Sequence, residues 1–204
     1  MDNINIFLCG IGGQGVVLAG KVISQVFYAS KYDVKVTDVI GVGQRGGSVA
    51  IHIRIGKDVY APLIKAGTLN YLIAFEKYEA LRWKHLLADD GVMVVNDYKS
   101  KPNTVAENLE TDIDVEFYFE QILNEKIMIG CNDILRQNRL SPKCINVLLI
   151  GIFSTFFSID ESVWIKKLIE NIDEKYLSSN IEAFKLGCRM GLDKSERKYF
   201  EVVE

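Results

Sequence analysis

The opening of this chain constrains its fold more than any other stretch. An apolar run, Ile4-Asn5-Ile6-Phe7-Leu8-Cys9, passes without a break into Gly10-Ile11-Gly12-Gly13-Gln14-Gly15, and an amphipathic helical pattern follows at once from Val16. Strand, glycine turn and helix in immediate succession is the start of a layered α/β domain. Glycine has no Cβ, so the backbone can turn sharply and approach an anion closely. The helix that follows begins with unpaired N–H groups at the positive end of its macrodipole. Gly10, Gly12 and Gly15 fit the spacing G-x-G-x-x-G. Gly10, Gly12, Gly13, Gln14 and Gly15 are therefore candidate anion-binding residues. The same residues would also serve a ligand-free βα turn.

The chain continues as α/β. Apolar residues at helical spacing, from Val16 through Ala19, Val22, Ile23, Val26 and Phe27, predict a helix to about Ser30. Strands are expected at about Val34–Val39, Val49–Ile55, Tyr71–Phe75 and Val92–Asn96, with a helix at Tyr78–Leu87. Beyond Pro102 the pattern weakens. Val115–Phe119 reads as a further strand, and Ser141-Pro142 opens a strongly apolar helix to Phe157. Two more helices are expected at Asp160–Asn171 and Ser179–Met190, ahead of a charged tail. A parallel crossover needs a dozen or more residues and usually a helix. The glycine-rich stretch between the second and third strands is too short for one, so those strands should be antiparallel or lie in different parts of the sheet. The expected architecture is a three-layer, Rossmann-like α/β domain over residues 1–190. Its sheet is mixed but mostly parallel, its C-terminal part is helical, and a charged tail follows at 191–204.

A second glycine segment, Gly41-Val42-Gly43-Gln44-Arg45-Gly46-Gly47-Ser48, carries an arginine whose planar guanidinium can grip a phosphate or carboxylate with two parallel hydrogen bonds. Gln44, Arg45, Gly46 and Gly47 join the candidate binding residues. Asp38, Glu76 and Asn96 end predicted strands, on the edge where open α/β sheets bind ligands. Asp38 is also where a ribose-holding acid of an NAD enzyme would stand. Single carboxylates such as Glu76 and Asp97 are more often helix caps or solvated groups than catalysts. No complete catalytic set is legible, and no metal site: the four cysteines lie far apart with no C-x-x-C pair, and only two histidines, His52 and His85, are present. A net charge of −3 argues against nucleic acid or acidic lipid as partner. The longest apolar run, Cys144 to Phe157, is too short to span a membrane, so a cytoplasmic protein is expected. Two anion loops without a catalyst point to a chain that holds part of a ligand while another chain carries the reactive cofactor.

Gly10-Ile11-Gly12-Gly13-Gln14-Gly15, Gln44-Arg45-Gly46-Gly47-Ser48-Val49, Phe75-Glu76 with Glu79-Ala80, and Gly91 with Asn96 together resemble the gamma-type subunit or domain of the 2-oxoacid:ferredoxin oxidoreductases, which act on pyruvate, ketoisovalerate or indolepyruvate in anaerobic metabolism. Asn146, Leu149, Gly151, Asn180, Ala183, Phe184 and Gly187 extend the likeness along the C-terminal half. Within the family the chain is most similar to the small, beta-named subunits of the indolepyruvate enzymes. The resemblance implies a complex that oxidatively decarboxylates a 2-oxo acid and passes the acyl group to coenzyme A. Thiamine diphosphate and 4Fe-4S clusters would lie on a large partner subunit, with ferredoxin as electron acceptor. This chain would hold no cofactor by itself, contribute no catalytic residue and be inactive alone. A stand-alone nucleotide- or coenzyme A-binding regulatory module and an NAD-dependent enzyme are the alternatives. Relatives often carry histidine where Ile40 stands and glutamate where Asp38 stands, which bears on the substrate accepted.

Overall fold

The computed structural model describes residues 3–40, 47–100 and 113–192. Six strands form one sheet in the order β2-β3-β1-β4-β5-β6. They are β1 (Ile4–Ile11), β2 (Asp33–Ile40), β3 (Ser48–Gly56), β4 (Leu69–Ala74), β5 (Leu87–Asn96) and β6 (Glu125–Ile129). β3 is antiparallel to both its neighbours, β1 and β2, while β1, β4, β5 and β6 pair in parallel. The sheet is thus mixed and mostly parallel, and of the two relations expected of the second and third strands the antiparallel one is present.

Seven α-helices accompany the described strands: α1 (Val16–Ala29), α2 (Lys77–Trp83), α3 (Val115–Glu120), α4 (Cys131–Gln137), α5 (Ile145–Ser154), α6 (Glu161–Asn171) and α7 (Glu174–Leu192). They split between the two faces because β1 is apolar on both. Ile6 and Leu8 share a buried cluster with residues of α1, α4, α5, α6 and α7. Phe7 and Cys9 share the other with Ala80 of α2 and with Val115 and Phe119 of α3. All four β1 residues are fully buried. The buried stripe of α1, from Val16 through Phe27, docks it on the first face. On that face α5 and α7 meet almost backbone to backbone. A Cβ on Gly151 would lie 2.2 Å from the carbonyl oxygen of Phe184, and one on Gly187 would lie 2.3 Å from that of Leu148.

Several elements differ from the sequence reading. Val115–Phe119 is not a strand but part of helix α3. Asp114 caps it by accepting a 3.1 Å bond from the Phe117 amide, and Val115 and Phe119, one helical repeat apart, are its buried residues. β6 and α4 carry no signal strong enough to be read in the sequence, since β6 is a short edge strand in which Ile127 and Ile129 are buried and Met128 is half-buried on the other face. The helix expected from Lys143 to Phe157 begins as a 3-10 turn, Pro142–Cys144, and ends at Ser154. α2 gives way to a 3-10 turn at Lys84–Leu86, and β5 starts at Leu87 rather than Val92. α7 starts at Glu174 and takes in Leu192; the rest of the expected tail lies outside the described residues. Among the described residues no helix is long and apolar enough to cross a membrane.

His52 of β3 is buried, edge-on to the Phe7 ring at 4.7 Å between centroids, and its Nδ1 accepts the Ile64 amide at 3.3 Å. Burial lowers its pKa, and a proton on Nδ1 would also displace that amide bond. A group whose pKa falls on folding stabilises the protein above its unfolded value, about 6.5, and loses that contribution as pH drops toward the folded value. His52→Gln should therefore flatten the loss of stability between about pH 7 and pH 5 in urea titrations. Gly151→Ala should destabilise by about 3 kcal/mol in the same assay, because the methyl group meets the α7 backbone rather than a movable side chain.

Candidate functional site

The turn after β1 is built by its glycines. Gly13 and Gly15 have φ of 100° and 80°, in the left-handed region that β-carbons disfavour. Gly15 is required twice over, since a Cβ there would stand 2.5 Å from Nδ2 of Asn146 on α5. Gln14 folds back so that its Oε1 accepts the Ile11 amide at 2.7 Å, and the Gln14 amide bonds the Ile11 carbonyl at 3.1 Å. The Gly12 amide donates to the Gly47 carbonyl at 2.9 Å, which joins the turn to the end of the second glycine segment.

Helix α1 then starts without a side-chain cap and with no acid in its first turn. Its first intrahelical bond runs from the Ala19 amide to the Gly15 carbonyl at 3.0 Å. The amides of Val16, Val17 and Leu18 therefore have no intrahelical acceptor. A cleft of about 540 Å³ lies here, within the usual range of small-ligand sites. It is lined by Gly13, Gln14 and Gly15 after β1, Phe75 after β4, Asn96 and Tyr98 at the end of β5, Asn132 of α4, and Pro142, Lys143 and Ile145 leading into α5. None of these is a carboxylate. The cleft sits where the chain leaves β1 for one face of the sheet and leaves β4 for the other, the switch point at which open α/β sheets take ligands.

A buried polar frame holds the strand ends. The Asn96 side chain donates to the Phe75 carbonyl at 3.1 Å and accepts the Cys131 amide at 3.2 Å, tying β4, β5 and α4 together. Glu76 is fully buried and caps α2 by accepting the amides of Glu79 and Tyr78. Burial pushes its carboxyl pKa up, while the amides of Glu79, Tyr78 and Ser100 partly offset that by favouring the charged form. Lys77, also buried, bridges Asp97 and Glu116. Burial works against its charge, but these two carboxylates outweigh it and hold its pKa above the ordinary value. Glu79 takes bonds from Ser48, Arg82 and Trp83.

The structure thus brings Gly13, Gln14, Gly15 and Asn96 into one cleft, with Gly10, Gly12 and Gly47 in the turn beside it. Glu76 serves as a helix cap beneath the site. Asp38 does not reach it: β2 is an edge strand, and β3 stands between it and β1. An acid that grips a ribose bound at the first glycine turn has to lie on the neighbouring strand, so the NAD reading finds no support. Gln44, Arg45 and Gly46 lie outside the described residues. Tyr98, Asn132 and Lys143 escaped sequence reasoning; the only cue to Lys143 was its place after the helix-start signal Ser141-Pro142. Cys9 and Cys131 are fully buried, and burial raises both thiols. Among the described residues no group of His, Cys, Asp and Glu could hold a metal ion.

Residues 5–190 match the family described as pyruvate ferredoxin/flavodoxin oxidoreductase. The indolepyruvate oxidoreductase subunit IorB of Thermococcus kodakarensis is 31% identical over 195 residues, covering 93% of this chain and 96% of the relative. IorB of Archaeoglobus fulgidus is 30% identical with the same coverage. Among solved structures, the gamma subunit of a keto/oxoacid ferredoxin oxidoreductase from Geobacter sulfurreducens superposes with a TM-score of 0.68 at 16% identity, over 93% of this chain and 98% of that one. A 2-oxoglutarate:ferredoxin oxidoreductase from Magnetococcus marinus, with 2-oxoglutarate, coenzyme A and succinyl-CoA bound, gives 0.73 at 18% identity, over 94% of this chain and 31% of that one. These structures share the fold, and with the match over nearly the whole sequence they place the chain in the pyruvate ferredoxin/flavodoxin oxidoreductase family.

Proposed function

We propose that this chain is the small, gamma-type subunit of an indolepyruvate-type 2-oxoacid:ferredoxin oxidoreductase, and that its cleft receives an anionic group of coenzyme A. The observation that carries the second part is the lining of the cleft: the uncapped start of α1 at Gly15, Gln14 and Lys143, with no carboxylate among the lining residues. Such a site attracts phosphate and disfavours the cations that acidic pockets take up. Thiamine diphosphate and 4Fe-4S clusters, held by the large partner subunit, would supply the decarboxylation and electron-transfer chemistry, with ferredoxin as acceptor. The likeness to IorB over nearly the full length of both chains supports the indolepyruvate assignment.

In this reading the chain's own residues bind and orient. The amides at the start of α1 face the phosphate and stay unpaired until it arrives, so binding displaces water rather than an internal partner. Lys143, also in the lining, adds a point charge. Arg45, from the segment that ends at Gly47, adds a guanidinium suited to the same anion. Asn96 contributes shape only, because both ends of its amide are committed to the frame. The chain alone is inactive and colourless.

The test is calorimetric titration of coenzyme A into the complex formed by co-expression with the large subunit. Lys143→Gln should weaken binding about 10-fold at low salt and less at high salt, and Arg45→Ala at least as much. Unchanged affinity in both variants would refute the coenzyme A site. Oxidation of a 2-oxo acid by the purified single chain would refute the division of labour between subunits.

A further inference from the structure

Beside the cleft, a buried carboxylate does something that neither folding of the sheet nor ligand contact requires. Glu79 lies on α2 with its side chain 5% exposed. Three donors converge on it: Arg82 Nε at 2.9 Å on one oxygen, and Ser48 Oγ at 2.5 Å and Trp83 Nε1 at 3.3 Å on the other. Ser48 is the first residue of β3 and the residue directly after Gly47. Its backbone is paired with Ile11, so it stands level with the turn after β1. The Gly47 carbonyl in turn accepts the Gly12 amide at 2.9 Å.

The ladder does not need this hydroxyl. β3 pairs with β1 from Ser48 to Ile55 and with β2 from Val49 to Gly56, so it is held on both sides along its length. Burying a carboxylate costs free energy that only well-placed partners offset. A hydroxyl bonded to an ionised carboxylate is short and strong, and it fixes direction as well as distance. At Ser48 that direction matters, because one residue earlier the chain is glycine and has no side chain to hold it.

We propose that Glu79 is a positioning residue which, through Ser48, sets where Gly47 stands against the turn of residues 10–15 and so tunes the amides that face the cleft. The path is short: Glu79 holds Ser48, Ser48 places the Gly47 carbonyl, and that carbonyl orients the Gly12 amide within the turn. Releasing Ser48 leaves the strand paired and the core filled but lets the Gly47 carbonyl drift from Gly12. This inference rests on the reading of the cleft as a coenzyme A site.

The experiment varies coenzyme A in steady-state assays of the reconstituted complex, for Ser48→Ala, Ser48→Thr and Lys143→Gln, with thermal midpoints measured alongside. Ser48→Ala should raise KM for coenzyme A about fivefold with kcat within about twofold, and should lower the midpoint by no more than a few degrees, as expected of one donor lost from the buried Glu79 carboxylate. Ser48→Thr, which keeps the hydroxyl, should restore KM. If Lys143→Gln raises KM and Ser48→Ala does not, the positioning role is overturned and the cleft assignment stands. If Ser48→Ala lowers the midpoint and kcat together with KM unmoved, Glu79 is a fold-holding residue and the proposal fails. If neither variant moves KM, the cleft assignment itself fails and the inference falls with it.

Discussion

The structure depends on the end of β1. This strand is buried on both faces, flanked by antiparallel β3 on one side and parallel β4 on the other. Its chain must leave the sheet at a point where both neighbours also present their ends. Glycine is the only residue that fits there. A Cβ on Gly10 would come within 2.9 Å of Gln14, Phe75 and Val16, and Gly13 and Gly15 take left-handed backbone angles. The same crowding fixes the turn that lines the cleft and the uncapped start of α1 beside it, so the site is a consequence of how the sheet is assembled.

Around that point, side chains with polar ends are spent on the frame rather than on a ligand. Asn96 and Glu76 look available in sequence, but each is buried and bonded to backbone. Lys77 is neutralised by Asp97 and Glu116. Among the described residues that line the cleft, the charged side chain is Lys143 and none is a carboxylate. The chain's net charge is negative, so the local composition of the cleft departs from the overall balance.

The two faces of the sheet play different parts. The α5–α7 side holds the larger core, with helices in backbone contact at Gly151 and Gly187; the turn that leads into α5 brings Lys143 to the cleft, and Asn146 packs against Gly15. The α2–α3 side is thinner and more polar near the strand ends. It supplies Glu79 and Glu76, which act on loop and helix ends. Rigid packing below and directional hydrogen bonds above suit a subunit that must keep a binding surface in register with a partner.

By itself the sequence determined the β1–glycine–α1 unit, the relation of β2 to β3 and the α/β class, while the family was legible only as a likeness of motifs. Each of these follows from local spacing: a glycine turn too tight for side chains, a connection too short for a crossover, and helical or alternating apolar periods over long elements. α3, β6 and α4 needed the tertiary structure. They are short and partly polar, and they acquire their form from Asp114 capping, from pairing with β5 and from the Asn96 bridge. The membership of the cleft was decided the same way. Tyr98, Asn132 and Lys143 are far apart in sequence and meet only because parallel strands deliver their successors to one edge, while Asp38, equally promising in sequence, is carried off by an intervening strand. Residue spacing records what is close along the chain; strand order, which no local pattern encodes, sets what is close across it.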